Sequence, residues 1–134
     1  MKRTMLLHAE LSMLIASMGH GDLLVVGDAG LPIPTGVGAP QRIDLALCRG
    51  VPSLDQVLTA VLSELQVEHA YIATEALVGE ERTLPPWCAS RTGFDVEEIS
   101  HAQLKALCHK ARAVVRTGEC TPYANMVLMS GVTF

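Results

Sequence analysis

Aromatic side chains are scarce in this chain, at 4% of its 134 residues, so whatever core it builds must be aliphatic. Charge of positive sign is scarce too. A formal net charge of -4 argues against a nucleic-acid partner, which would want a basic face. No apolar run approaches the roughly 20 residues that a membrane-crossing helix needs. The opening Met1-Lys2-Arg3-Thr4-Met5-Leu6-Leu7 has the charged and apolar start of a signal peptide. His8 and Glu10 then interrupt it and no small-residue cleavage site follows, so a cytoplasmic protein is expected. The four cysteines, Cys48, Cys88, Cys108 and Cys120, show no C-x-x-C spacing and read as reduced thiols, two of them inside apolar segments. Nucleotide and metal signatures are missing as well. Gly36-Val37-Gly38 lacks the third glycine of a dinucleotide loop, and there is no phosphate loop, G-x-S-x-G elbow or H-E-x-x-H pair. No metal and no cofactor are expected.

What the chain does have is aliphatic periodicity. Hydrophobic residues reach 49%, enough for one compact domain over 1–134 and too much for disorder. Leu11, Leu14, Ile15 and Met18 follow helical spacing, and Gly19 is placed to end that helix in a left-handed conformation. Leu23 to Val26 reads as a fully buried strand, and the proline- and glycine-rich Leu31 to Pro40 as a loop. Arg42 to Leu47 suggests a short strand. Ser53 and Gln56 have capping-box spacing, followed by the stripe Leu54, Val57, Leu58, Val61, Leu62 and Leu65. Val67 to Thr74 reads as a strand, Glu80 to Gly93 as a loop with one helical turn, and Phe94 to Ile99 as an edge strand. Ser100 and Gln103 open a further helix through about Ala111. Ala113 to Val115 and Met126 to Met129 read as two more buried strands. This alternation of elements, with strands apolar on both faces, predicts an α/β sandwich whose helices cover a mostly parallel sheet or a mixed one. So much aliphatic surface on so small a chain also predicts self-association.

Polar groups gather at a few places on this scaffold. His20 lies between two glycines just before a buried strand, where an imidazole is uncrowded; the alternative is that it caps the preceding helix. Asp28 follows the same strand, where a carboxylate can accept hydrogen bonds from hydroxyls or simply shape its turn. His101 and Lys105 share one helix face, as a binding pair or as solvated surface. From these residues alone the chain is an α/β domain equipped for acid–base chemistry on a small polar molecule.

Longer blocks narrow this. Met18-Gly19-His20-Gly21-Asp22, Val26 to Pro34, Arg42 to Leu47 with Gly50 to Ser53, Arg116 to Asn125, and the ending Gly131-Val132-Thr133-Phe134 are collinear with D-ribose pyranases. The chain resembles that family from about residue 4 onward, except for a dissimilar, shortened stretch from Ala76 to Asp95. The related L-fucose mutarotases share Met-Gly-His-Gly-Asp and Gly-Val-Thr but differ between them. The resemblance implies a cofactor-independent isomerase that interconverts the β-pyranose and β-furanose forms of D-ribose. It implies His20 as proton donor, and Asp28, His101, Lys105, Tyr123, Ala124 and Asn125 around the sugar. It further implies a homodecamer of two stacked pentameric rings with sites at subunit boundaries. A fucose-type mutarotase and a non-catalytic sugar-binding accessory of a transport system are the competing expectations.

Overall fold

The computed structural model describes residues 1–134. Its centre is one six-stranded sheet made of β1 (Leu23–Gly27), β2 (Gln41–Asp44), β3 (Val67–Ala73), β4 (Asp95–Ile99), β5 (Ala113–Arg116) and β6 (Met126–Ser130). The strand order is β2-β5-β1-β6-β3-β4. β1, β2 and β5 run parallel to one another, as do β3 and β4, while β6 is antiparallel to both its neighbours. The sheet is therefore mixed, and β6 is the strand that makes it so.

The central strands are buried because both faces are covered. Every residue of β1 is buried. Leu24 and Val26 pack on one face with Val115, Met126 and Leu128, under α1 (Ala9–Ser17) and α2 (Leu54–Leu62). Leu23 and Val25 pack on the other with Val114 and Val127, under Leu104 and Cys108 of α4 (His101–Cys108). Near-continuous apolar strands are what a sheet with two covered faces demands. Both capping boxes form as spaced. Ser53 and Gln56 exchange hydrogen bonds at the start of α2, and Ser100 and Gln103 do so at the start of α4. The expected single helical turn is α3 (Pro86–Ala89), and β4 is an edge strand.

Three boundaries differ from expectation, each for a local reason. α1 ends on an extended Met18 rather than on a left-handed Gly19; the left-handed glycine is Gly21, with φ +82°. The second strand stops at Asp44, not Leu47, because the Asp44 carboxylate accepts from Ala46 N at 3.2 Å and turns the chain. α4 stops at Cys108, and the N–H groups of His109, Lys110 and Ala111 bond back to Ala106, Leu107 and Cys108 in tight turns.

Candidate active site

Polar side chains collect at both ends of the sheet. At one end lie the carboxyl ends of β1, β3, β4 and β5 together with the amino end of β6. Asp28 begins the turn after β1. Its Oδ1 accepts from Gly30 N at 2.8 Å, shaping the turn, and its Oδ2 accepts from Asn125 Nδ2 at 2.9 Å. Asn125 Oδ1 in turn accepts from Asp28 N at 2.8 Å. Asn125 is fully buried, so its amide clamps Asp28 from beneath the surface. Gly27 is required here. A Cβ on it would stand 2.5 Å from Leu31 Cδ2 and 2.8 Å from Asn125 Oδ1. The turn is anchored further by Arg116, whose Nε donates to Ala29 O at 2.9 Å while its Nη1 pairs with Asp44. Hydrogen bonds from Arg42, then Arg116 and Ala46, outweigh burial and hold the Asp44 carboxyl below its usual range.

Tyr123 and His101 meet beside this clamp. Their rings stand edge to face at 5.1 Å between centroids. Tyr123 adopts a left-handed backbone, φ 63°, a strained conformation for an aromatic residue and one that concentrates at functional sites. Half-buried His101 has its Nδ1 buried without a hydrogen-bond partner, while its backbone N–H donates to Glu75 Oε2 at 2.9 Å. Ala124, between Tyr123 and Asn125 in sequence, is fully buried, and its N–H donates to Thr121 O at 3.3 Å. Lys105 lies one turn beyond His101, exposed and with no hydrogen bond from its side chain.

Sequence reasoning missed the group that holds the Tyr123 loop. Glu119 Oε1 accepts from Cys120 N, Thr121 N and Thr121 Oγ1 at 3.0, 3.1 and 2.9 Å, and Oε2 accepts from Leu54 N at the start of α2. Burial works against the Glu119 charge, yet the donors of Thr121, Leu54 and Cys120 outweigh it, and the carboxyl sits below its usual range. Glu119 thus ties the sugar-site loop of the sequence resemblance to the helix layer. Nothing in the local pattern around Glu119 marks it in advance.

His20 lies at the opposite end of the sheet, before the amino end of β1. Its Nε2 is 2.7 Å from Glu68 Oε2, and its side chain makes no hydrogen bond to the α1 carbonyls that it could have capped. It lines an open groove of about 470 Å³ with Met18, Leu65, Gln66, Ser130 and Phe134. β1 alone puts roughly 16 Å between the two ends, at about 3.3 Å per strand residue. A single chain therefore brings Asp28, His101, Tyr123, Ala124 and Asn125 together, and holds His20 apart from them. No three His, Cys, Asp or Glu side chains converge in the manner of a metal site. No helix is long and apolar enough to cross a membrane.

A mixed sheet covered on both faces, with polar clusters at its two ends, is the build of a known group of small proteins. The chain belongs to the RbsD / FucU transport protein family, whose model matches residues 1–133. It is 59% identical to the D-ribose pyranase of Variovorax paradoxus, with all of both chains covered. Among solved structures, Bacillus subtilis RbsD complexed with D-ribose is 36% identical over all of both chains, with a TM-score of 0.85. The fucose mutarotase of Streptococcus pneumoniae, in complex with L-fucose, is 26% identical, with a TM-score of 0.72, over 95% of this chain and 94% of that one.

Proposed function

We propose that residues 1–134 form one D-ribose pyranase domain that interconverts the β-pyranose and β-furanose forms of ribose in the cytoplasm. The carrying observation is full-length likeness, at 59% identity, to a protein named for that activity. The likeness to the fucose mutarotase is weaker in both identity and superposition, which favours ribose over fucose.

The chemistry asks for proton transfer alone. A proton leaves the anomeric hydroxyl as the C1–O5 bond breaks, and another reaches O5, giving the open aldehyde. The 4-hydroxyl then adds to C1 and gives up its own proton as the new ring closes. An imidazole, with an unperturbed pKa of about 6.5, can accept and return these protons near neutrality. His20, exposed and lining its groove, has that role. Asp28 is held by Asn125 and Gly30 with lone pairs left for sugar hydroxyls. Tyr123 offers a ring face and hydroxyl, His101 an imidazole against that ring, Ala124 a buried wall beneath them, and Lys105 an exposed cation nearby.

Since His20 and Asp28 stand a strand length apart, one sugar meets both only across a boundary between two copies. The assembly in this reading is the homodecamer of two pentameric rings, with each site shared. The test is exchange between pyranose and furanose signals of ribose by saturation-transfer NMR. His20→Ala and Asp28→Asn are each expected to be inactive. After dissociation and joint reassembly in equal amounts, random pairing should restore roughly a quarter of the boundaries. Absence of exchange with the unaltered protein would refute the activity. No recovery in mixed oligomers confirmed by mass would refute the shared site.

A further inference from the structure

We propose that Glu68 is a positioning residue for His20, fixing the imidazole hydrogen on Nε2 and turning Nδ1 toward the sugar. This rests on the reading of His20 as the proton-transfer group. An ionised carboxylate only accepts hydrogen bonds. With Glu68 Oε2 at 2.7 Å, His20 Nε2 must carry hydrogen, and in the neutral ring the free lone pair is then on Nδ1. The atom that takes the proton from the anomeric hydroxyl is therefore Nδ1. The Glu68 contact also removes one freedom of the ring, its rotation about the Cβ–Cγ bond.

Ion pairs between exposed side chains are common and usually contribute little. What separates this one is the backbone built for it. The pairing of β3 with β6 shifts register between Val67 and His69, so Glu68 is the extra residue of a β-bulge. Ala70 and Ile72 point into the larger core cluster, and strict alternation would send Glu68 there with them. The bulge instead lets Val67 enter that cluster and swings Glu68 out toward His20. Beside the bulge stands Gly131, where a Cβ would lie 3.1 Å from Glu68 Cβ and would press on it.

The His20 turn is tied to the same place. Gly21 N donates to Ser130 O at 2.8 Å, Ser130 N donates to Asp22 O at 2.9 Å, and Gly131 N donates to Gln66 O at 2.9 Å. Asp22 also caps the turn by accepting from Gly19 N at 2.9 Å, and Arg112 holds the Asp22 carboxylate. Histidine and carboxylate are thus carried by two segments joined through β6. The carboxylate that lines the groove, Glu64, is engaged by Lys2 and Thr4, which leaves Glu68 as the partner of His20.

The experiment reads the tautomer directly. Long-range proton–nitrogen NMR on histidine-labelled protein, above the titration range of His20, should show a protonated Nε2 and a bare Nδ1. Glu68→Ala should yield a mixture of tautomers and lower kcat for ring exchange by at least about tenfold, with KM for ribose little changed. Glu68→Asp should recover part of both. Should Glu68→Ala fail to assemble, Glu68→Gln keeps the volume, replaces the charged acceptor by a neutral one, and is expected to move both quantities in the same direction. An unchanged tautomer signature together with an unchanged kcat would overturn the proposal. His20→Ala in the same assay keeps the two ideas apart. If exchange survives without the imidazole, the proton-transfer reading of His20 fails, while the tautomer measurement still judges Glu68 without any turnover.

Discussion

Asn125 offers the sharpest test of how the Asp28 end is built, because its two hydrogen bonds have different worth. The bond from Asp28 N to Oδ1, at 2.8 Å, is neutral, and the bond from Nδ2 to the Asp28 carboxylate, at 2.9 Å, is charge-assisted. Losing them should cost about 1 and about 2 kcal/mol respectively. Asn125→Ala also leaves a cavity in a fully buried place, so a loss of about 3–4 kcal/mol is expected. Asn125→Asp separates shape from charge. It fills the same space but sets a second carboxyl against Asp28. When protonated, the new side chain can donate to Asp28 and reproduce the original pattern; when ionised, it repels. Its pKa in the folded state must therefore stand above its unfolded value of about 3.9. The variant's stability is fully present below that unfolded value and is lost as pH rises through the folded one. Each unit of pH between the two removes about 1.4 kcal/mol. Urea midpoints at fixed protein concentration, at pH 4 and pH 7, measure this. Asn125→Ala should be impaired at both, and Asn125→Asp chiefly at pH 7. A pH-independent deficit for Asn125→Asp, or a cost below about 1 kcal/mol for Asn125→Ala, would refute the clamp.

Glu119→Gln should loosen the Tyr123 loop and the start of α2, with a loss of about 1 kcal/mol at pH 7. Because the Glu119 carboxyl titrates below its usual range, its contribution is present above the unfolded value and lost as pH falls through the folded one. The difference between variant and parent in denaturant midpoint should therefore vanish in acid. Burial pushes the Cys88 and Cys108 thiols up to about 11, so neither should react with iodoacetamide at pH 8 until the chain unfolds, as peptide mass spectrometry would show.

How much of this was legible in advance depends on whether the signal is local. The capping boxes at Ser53 and Ser100 were, since four residues contain both partners. So was the doubly covered sheet, because Leu23 to Val26 and Met126 to Met129 are apolar without alternation. The antiparallel direction of β6 was not, as an apolar strand reads the same in either direction. Element ends were missed where a side chain reached back to the main chain, as Asp44 does to Ala46 N. At the sites, residue types were visible while partnerships were not. Asp28 and Asn125 are 97 positions apart and His20 and Glu68 are 48 apart, separations that no local pattern spans. One trace of the second pair does stand in the sequence. Val67-Glu68 breaks the alternation continued by Ala70 and Ile72, which is how a bulge looks before it is seen.

The separation of His20 from Asp28 was legible too, and it carries more than either residue. One residue precedes a buried five-residue strand and the other follows it. An extended strand cannot shorten, so the two are held roughly 16 Å or more apart whatever the rest of the fold does. A pentose is far smaller than that gap. If both groups act on one sugar, a second copy must supply one of them, and the aliphatic surface left on a single chain gains a purpose. Leu7, Met13, Leu47, Val132 and Phe134 are exposed in the isolated chain, the last two at the His20 end itself. A neighbour seated on Val132 and Phe134 would shield His20 and Glu68 from water. In that setting their hydrogen bond would be stronger than at an open surface. Assembly and catalysis then fail together, and dilution below the association range should abolish ring exchange before it unfolds the chain.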